Sequence, residues 1–364
     1  MESEFTSTSD QYSNQLQSGA ITYSSPSNIA LVKYWGKKPV QIPANPSISF
    51  TLNNCKTTTT LLFEKSTTTA QVEFEVYVDD KIEVSFKPKI EKFFQLISAY
   101  LPFISNYKFE IRTSNTFPHS SGIASSASGM SAIALCLCRL ESQLDPSISE
   151  EAMLKKASFI SRIGSGSACR SVYGGLVAWG ESDSIASSSD FYGVEFNEVH
   201  SIFKNYQDTV LLVDKGEKVV SSTVGHGLMA DHPYAERRFE QANSNLALLK
   251  AALIEGNLSV FNEIVESEAL TLHAMMMTSS PYFMLFKPNT VEIIQKVWKF
   301  REQSGLHLSI TLDAGANVHL LYPEAEKEAI LQFINDELVG FCQNGQYICD
   351  NVGAGPVLLN EDYA

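Results

Sequence analysis

The sequence predicts an α+β protein built in two lobes, and three observations carry that prediction. The first half is rich in alternating or β-branched runs, such as Ser47 to Leu52 and Thr57 to Phe63, which read as strands of a mostly antiparallel sheet. The second half changes texture to long helical patterns, Pro233 to Ile254 and Leu258 to Met275. Between the halves lies the Ser/Asp-rich stretch Glu181 to Asp190, a natural domain junction. The expected organisation is a disordered tail at 1–19, a first lobe at 20–190 and an α+β second lobe at 191–364. The chain's 364 residues suffice for two ordinary cores.

The elements follow in order. Met1 to Gly19 is rich in Ser, Gln, Thr and acids, and reads as a frayed tail. It lacks the basic start and apolar run of a secretion signal. Ala20 to Ser24 and Gln71 to Val78 are further strands, and Lys89 to Leu101 is an amphipathic helix. The strand Tyr107 to Thr113 runs into a Pro/Ser/Gly loop at Asn115 to Ser128, then an Ala/Leu-rich helix to about Leu140. Pro146 to Ile163 is helical, Gly164 to Ser171 a second loop of small residues, and Gly174 to Trp179 a strand. In the second half Thr209 to Asp214 is a strand, and Gly256 separates the two long helices. Thr290 to Gln303 is a helix capped by Asn289 or Thr290 and stopped by Gly305. Leu306 to Leu312 and Val318 to Tyr322 are strands around a glycine turn, Pro323 to Phe341 is helical, and Gln346 to Asn351 is the closing strand.

Composition bounds the function. Hydrophobic residues make up 44% and charged residues 19%, an ordinary globular balance. The net charge is −14 and the pI near 5.0. That surface disfavours nucleic acid and anionic membrane, and a phosphorylated ligand would need a local basic site to overcome it. The apolar run Ser131 to Cys138 is too short to span a bilayer. Six scattered cysteines show no metal or redox spacing, so reduced thiols in the cytoplasm are expected.

Four segments carry chemistry. Pro118 to Gly129 is a loop of small residues between a strand and a helix, where backbone N–H groups and a helix N-terminus can converge on an anion. Its Ser125, Ser126 and Ser128 can donate hydroxyls to phosphate, and one could ligate magnesium. The plainer reading is a tight turn that lets the helix pack on the sheet. Gly164 to Ser171 places Arg170 among tiny residues, with a planar fork suited to carboxylate or phosphate, unless a structural acid already pairs it. Asn28 to Lys38 holds three lysines among apolar and aromatic residues. Lys37 and Lys38 could simply be solvated, but Lys33 lies between Val32 and Tyr34, where a lysine needs a partner. Thr311 to Asn317 puts Asp313 at the end of an apolar strand before a glycine, either to enter a cleft or merely to cap the strand. Together they supply a phosphate loop, an anion-binding Arg, a lysine partner and a base, the parts for phosphoryl transfer to a hydroxyl of an anionic substrate.

The segment Asn28-Ile-Ala-Leu-Val-Lys-Tyr-Trp-Gly-Lys37 closely resembles the N-terminal signature of the mevalonate diphosphate decarboxylase family. Gly122-Ile-Ala-Ser-Ser-Ala-Ser-Gly129 resembles its ATP loop, Gly164 to Ser171 its substrate loop and Asp313-Ala-Gly-Ala-Asn317 its catalytic turn. His273 to Pro281 and Val352 to Pro356 also look like family segments. The matches run in order from about Ser24 to Pro356, and the Ser-rich loop alone marks only the wider GHMP kinase superfamily.

The resemblance implies a two-lobed GHMP-kinase-like fold with the active-site cleft between the lobes, commonly a homodimer. It implies ATP-dependent decarboxylation of mevalonate 5-diphosphate to isopentenyl diphosphate in isoprenoid biosynthesis, with ATP and Mg2+. Asp313 would be the base, Lys33 its partner, and Arg170 with Ser165 and Ser167 the carboxylate grip. Tyr34, Lys37 and Ser222 would meet the substrate, and Gly122, Ala124, Ser125, Ser126 and Ser128 the ATP, with Ser126 also on magnesium. Two departures stand out. Ala316 replaces a frequent Pro, and Thr223 lies where some relatives carry an Arg for the diphosphate, with Lys87 as a candidate replacement. The rival readings are a phosphomevalonate decarboxylase or mevalonate 3-kinase and, in another class, a non-catalytic phosphometabolite-binding protein.

Overall fold

The computed structural model describes residues 2–8, 12–66, 72–118, 123–216 and 222–364, the side chains of 222 and 223 excepted. Two sheets organise it. The strands of the larger run in the order Val357–Tyr363, Ser18–Val32, Ser47–Lys65, Tyr107–Asn115, Glu73–Val78, with a short strand Lys81–Ile82 at the edge. Leu176–Trp179 pairs with the near end of Ser47–Lys65 and is itself flanked by Val194–Glu195. Pairing is antiparallel except between Glu73–Val78 and Tyr107–Asn115. The smaller sheet is antiparallel, in the order Ser309–Thr311, Val318–Tyr322, Gln207–Leu211, Tyr347–Asn351.

Among the described residues eight α-helices accompany these sheets: α1 Lys87–Ile97, α2 Ser125–Leu144, α3 Glu150–Gly164, α4 Ser222–Gly227, α5 Ala235–Glu255, α6 Leu258–Met277, α7 Pro288–Ser304 and α8 Lys327–Phe333. A first apolar core, with Ile21, Phe63, Phe109, Leu135 and Phe159, lies between the larger sheet and α1 to α3. A second joins the far end of that sheet, through Ile29 and Phe50, to Leu246 and Phe261 of α5 and α6. A third packs the smaller sheet against α7 and α8 through Ile293, Ile310 and Ile330. The α+β class expected from the sequence therefore holds.

Several expectations give way. Residues 1–19 do not fray throughout. Phe5 is 4% exposed and stacks on Phe159 at 4.2 Å, while Ser7 and Tyr12 donate hydrogen bonds to the buried Glu141. Phe5 docks this polar segment on α3, while Tyr12 docks it on Phe103 and on Glu141 of α2. The separate strands expected at Ser47 to Leu52 and Thr57 to Phe63 form one 19-residue strand. Asp350 bridges the Asn-Asn step, accepting the N–H groups of Asn53, Asn54 and Cys55 at 2.8, 2.8 and 2.7 Å. The helix expected over 323–341 breaks into α8 and short 3-10 and π turns. The cap of α7 is Lys287, whose N–H is accepted by the Thr290 hydroxyl at 3.2 Å. Val357–Tyr363, which carries no clean alternation, returns from the second half of the chain to the edge of the first sheet.

Candidate active site

A cavity of about 870 Å³ collects the end of Ser18–Val32, the loop after α3, the start of α2, one face of α1, and the turn after Ser309–Thr311. Strand Ser18–Val32 delivers Lys33 into it, and the turn delivers Asp313. Lys33 Nζ lies 3.2 Å from Asp313 Oδ1, with the lysine side chain 2% exposed and the aspartate 25%. Burial pulls the Lys33 pKa below the ordinary lysine range, opposed by the neighbouring Asp313 carboxylate. His273 of α6 lies 3.1 Å, through Nε2, from the backbone carbonyl of Asp313 and stacks on Phe286. The Lys33 backbone is clasped as well. Its N–H donates to Glu268 at 2.8 Å, and its carbonyl accepts from Asn45 at 2.9 Å and Arg238 at 3.1 Å.

Arg170 sits in the 3-10 turn Gly166–Val172, 2% exposed. Its Nε and Nη2 donate to Asn28 Oδ1 at 3.4 and 3.2 Å, Nη1 donates to the Ser47 hydroxyl, and the guanidinium lies 5.9 Å from the Trp179 ring centre. Among the described residues no acid forms an ion pair with it. The structural acid that sequence reading left open is therefore not found among the described residues. A buried guanidinium with only neutral partners is a strained charge, and burial lowers its pKa. A ligand carboxylate in the cavity would complete it.

The signature continues with Tyr34, wedged between Trp179 at 4.6 Å and His226 at 4.2 Å, with a buried hydroxyl lacking any hydrogen-bond partner among the described residues. Gly36 turns the chain at φ 102°, where a Cβ would approach Phe239 to 2.9 Å. Lys37 then donates to Gln41 Oε1 at 3.1 Å, and its pKa is lowered by burial and by the Lys92 cation. Gly166 leaves room for Tyr34, since a Cβ there would fall 2.9 Å from the phenol oxygen.

At the other end, Ala124, Ser125 and Ser126 line the cavity where α2 begins. Among the described residues no side chain caps that N-terminus, so the N–H groups of Ser125 and Ser126 and the helix dipole can meet an anion. The Ser126 and Ser165 hydroxyls meet at 3.3 Å, joining the two small-residue loops, and Ser167 lines the same wall. Ser128 departs from expectation. It is fully buried and bonds the Thr57 hydroxyl at 2.6 Å, because its position one turn into α2 faces the sheet. Gly122 and the side chains of Ser222 and Thr223 lie outside the described residues. Lys87 does not line the cavity, its ammonium standing 6.0 Å from the Phe74 ring centre. Lys89 and Lys92 do instead.

Sequence reading missed Lys89, Lys92, His226 and the Glu268–Arg238 pair. The two lysines carried a signal, since positions three apart share a helix face. His226 carried none beyond its setting between two glycines. No cluster of His, Cys, Asp and Glu suited to a metal occurs among the described residues. The hydroxyl-bearing residues Ser125, Ser126 and Ser165 line the cavity near the start of α2, and hydroxyl donors suit magnesium arriving on phosphate oxygens.

Comparison with known proteins gives a consistent result. Residues 25–190 match the family described as the diphosphomevalonate decarboxylase-like N-terminal domain, and residues 209–359 match the mevalonate 5-diphosphate decarboxylase C-terminal domain. The diphosphomevalonate decarboxylase of Saccharomyces cerevisiae is 30% identical over 85% of this chain and 79% of its own. That of Candida albicans is 29% identical over 88% of each. The solved mevalonate diphosphate decarboxylase of Staphylococcus aureus superposes with a TM-score of 0.80 at 27% identity, covering 95% of this chain and 99% of that one. A structure described as MDDEF in complex with MVAPP, AMPPCP and magnesium superposes at 0.80 with 25% identity, over 94% and 99% of the two chains.

Proposed function

The chain belongs to the diphosphomevalonate decarboxylase family, and from that membership we propose how its cleft performs the reaction. The enzyme decarboxylates mevalonate 5-diphosphate to isopentenyl diphosphate, using ATP with Mg2+ and yielding ADP, phosphate and carbon dioxide. The observation that carries the residue assignment is the meeting, in one cavity, of the Lys33–Asp313 pair and a buried guanidinium without an acid partner.

Asp313 accepts the proton of the substrate's tertiary hydroxyl as that oxygen takes the phosphoryl group. Lys33, beside it, favours the ionised carboxylate. The hydroxyls of Ser125 and Ser126 and the N-terminus of α2 hold the ATP phosphates, and Ser126 would hold the magnesium. When bound, that cation neutralises charge on the phosphoryl being transferred. Departure of phosphate leaves positive charge on the tertiary carbon, and the carboxylate bond breaks to form the double bond. Arg170, positioned by Asn28 and Ser47 and helped by Ser165 and Ser167, holds the carboxylate in line for that cleavage. Tyr34, Lys37, Lys89 and Lys92 form the basic end that takes the diphosphate, supplying the local positive site that a chain of net charge −14 requires.

We further propose that the first lobe, residues 20–190 completed by strand Val357–Tyr363, carries ATP, that two chains form a homodimer, and that the enzyme works in the cytoplasm. Free thiols throughout support the last point. Carbon dioxide release with ATP and, in turn, mevalonate, its 5-phosphate and its 5-diphosphate tests the substrate assignment. Release is expected with the 5-diphosphate. Preference for the 5-phosphate would make the enzyme a phosphomevalonate decarboxylase, and ADP formation without carbon dioxide would make it a 3-kinase.

A further inference from the structure

The imidazole of His226 has a role that neither the Lys33–Asp313 pair nor Arg170 fills. It projects from α4 into the cavity wall, between the ring of Tyr34 at 4.2 Å and that of Trp35 at 4.6 Å. Its Nδ1 lies 3.0 Å from the N–H of Gly36 and accepts from it. A nitrogen that accepts carries no proton, so the neutral ring holds its proton on Nε2. Among the described residues no partner takes that Nε2–H.

The surroundings fix the ring in this form. It is enclosed by protein yet opens on the cavity, and burial, with the Lys37 and Arg170 cations adding to it, pushes its pKa down to about 3. At any working pH the ring is uncharged, of one tautomer and clamped by two aromatic neighbours. It is therefore a fixed donor next to cations, in a place where another cation would be costly. The hydroxyl of Tyr34, whose ring packs on this imidazole, also has no partner among the described residues.

We propose that His226 is a substrate-positioning residue whose Nε2–H donates to a phosphate oxygen of the substrate's diphosphate, beside Lys37. This rests on the assignment of that end of the cavity to the diphosphate. A neutral donor suits the site, because it adds a directed bond without the like-charge repulsion that another lysine would bring to Lys37 and Lys92. It also ties ligand binding to the turn at Gly36, since one ring serves both.

Two substitutions separate the ring's two edges. Asn at 226 places its oxygen near Nδ1 and keeps the Gly36 contact but loses the donor. Gln reaches the Nε2 position and keeps the donor. Steady-state kinetics on the full chain are expected to show His226→Asn raising the KM for mevalonate 5-diphosphate about ten- to a hundredfold, with the KM for ATP and kcat little changed, and His226→Gln restoring most of the loss. A normal KM in the Asn variant, or equal losses in both variants, overturns the proposal and leaves His226 as a prop for the turn. On the unsubstituted enzyme, 15N NMR of the histidines should show the His226 Nε2–H resonance shifting downfield when mevalonate 5-diphosphate is added without ATP. An unmoved resonance overturns it equally, even if neither variant folds. Failure of the enzyme itself to act on mevalonate 5-diphosphate would instead refute the substrate assignment.

Discussion

The carboxylate of Glu268 accepts the backbone N–H of Lys33 at 2.8 Å, so the lysine that meets Asp313 is held from behind by an acid that is itself fully buried. Arg238 completes the clasp, reaching Glu268 at 2.6 and 3.0 Å and the Lys33 carbonyl at 3.1 Å. Removing one member leaves an uncompensated buried charge, which costs about 3–5 kcal/mol. Glu268→Gln is therefore expected to lower stability by that order in urea unfolding. Unchanged stability would mean that the pair is dispensable.

Asp313→Asn is expected to reduce kcat about a hundredfold or more while leaving ATP binding nearly intact. The Asp313 side chain stands a quarter exposed at the cavity, but its loss leaves the buried Lys33 ammonium without its carboxylate, so the melting temperature should fall as well. Near-normal product formation would remove Asp313 from the role of base.

Arg170→Lys keeps the charge but loses the planar fork that spans Asn28 and Ser47. A fall of about ten- to a hundredfold in kcat/KM for decarboxylation is expected, the equivalent of roughly 1.5–3 kcal/mol for a charge-assisted contact. A Lys variant of unchanged efficiency would make the arginine purely structural.

Lys37→Ala should raise the KM for mevalonate 5-diphosphate about tenfold to a hundredfold and that for ATP much less. The Lys37 contact with Gln41 is replaceable by water, so little stability should be lost. A change confined to the ATP constant would move Lys37 to the nucleotide end.

Stability should also depend on pH through His273. Burial holds its folded pKa down to about 4, below the ordinary value near 6.5. As pH falls below that ordinary value the unfolded chain takes up a proton that the folded chain refuses, so stability declines until about pH 4, where both forms carry it. His273→Gln is expected to remove about one proton from the slope of unfolding free energy against pH between those limits. Urea titrations at a series of pH values measure it.

What the sequence disclosed was governed by distance along the chain. Lys33, Arg170 and Asp313 each announced themselves locally, as a cation among apolar residues, an Arg among glycines and serines, and an acid closing an apolar strand. Ser128 misled because composition placed it in the phosphate loop, whereas helical phase turned it to Thr57. Lys87 and Lys89 differ by two positions, and only the phase of α1 decides which one faces the cavity. Glu268 and Arg238 gave no local signal, because the Lys33 peptide that they clasp lies more than two hundred positions away. The docking of Phe5 and the pairing of Val357–Tyr363 are likewise long-range and left no local trace.

That terminal pairing constrains the order in which the protein can assemble. Gly19 lies opposite Tyr363 and Ser24 opposite Val357, so the strand Ser18–Val32 lacks one neighbour until residues more than three hundred positions later have been translated. Contacts of such separation slow folding. Until then the flank of residues 18–24 offers unpaired backbone groups to any other nascent chain. A fragment ending near residue 190 would keep that flank bare for good, so it should be a sticky and incomplete body when expressed alone, although it contains the apolar core around Phe63 and Phe159.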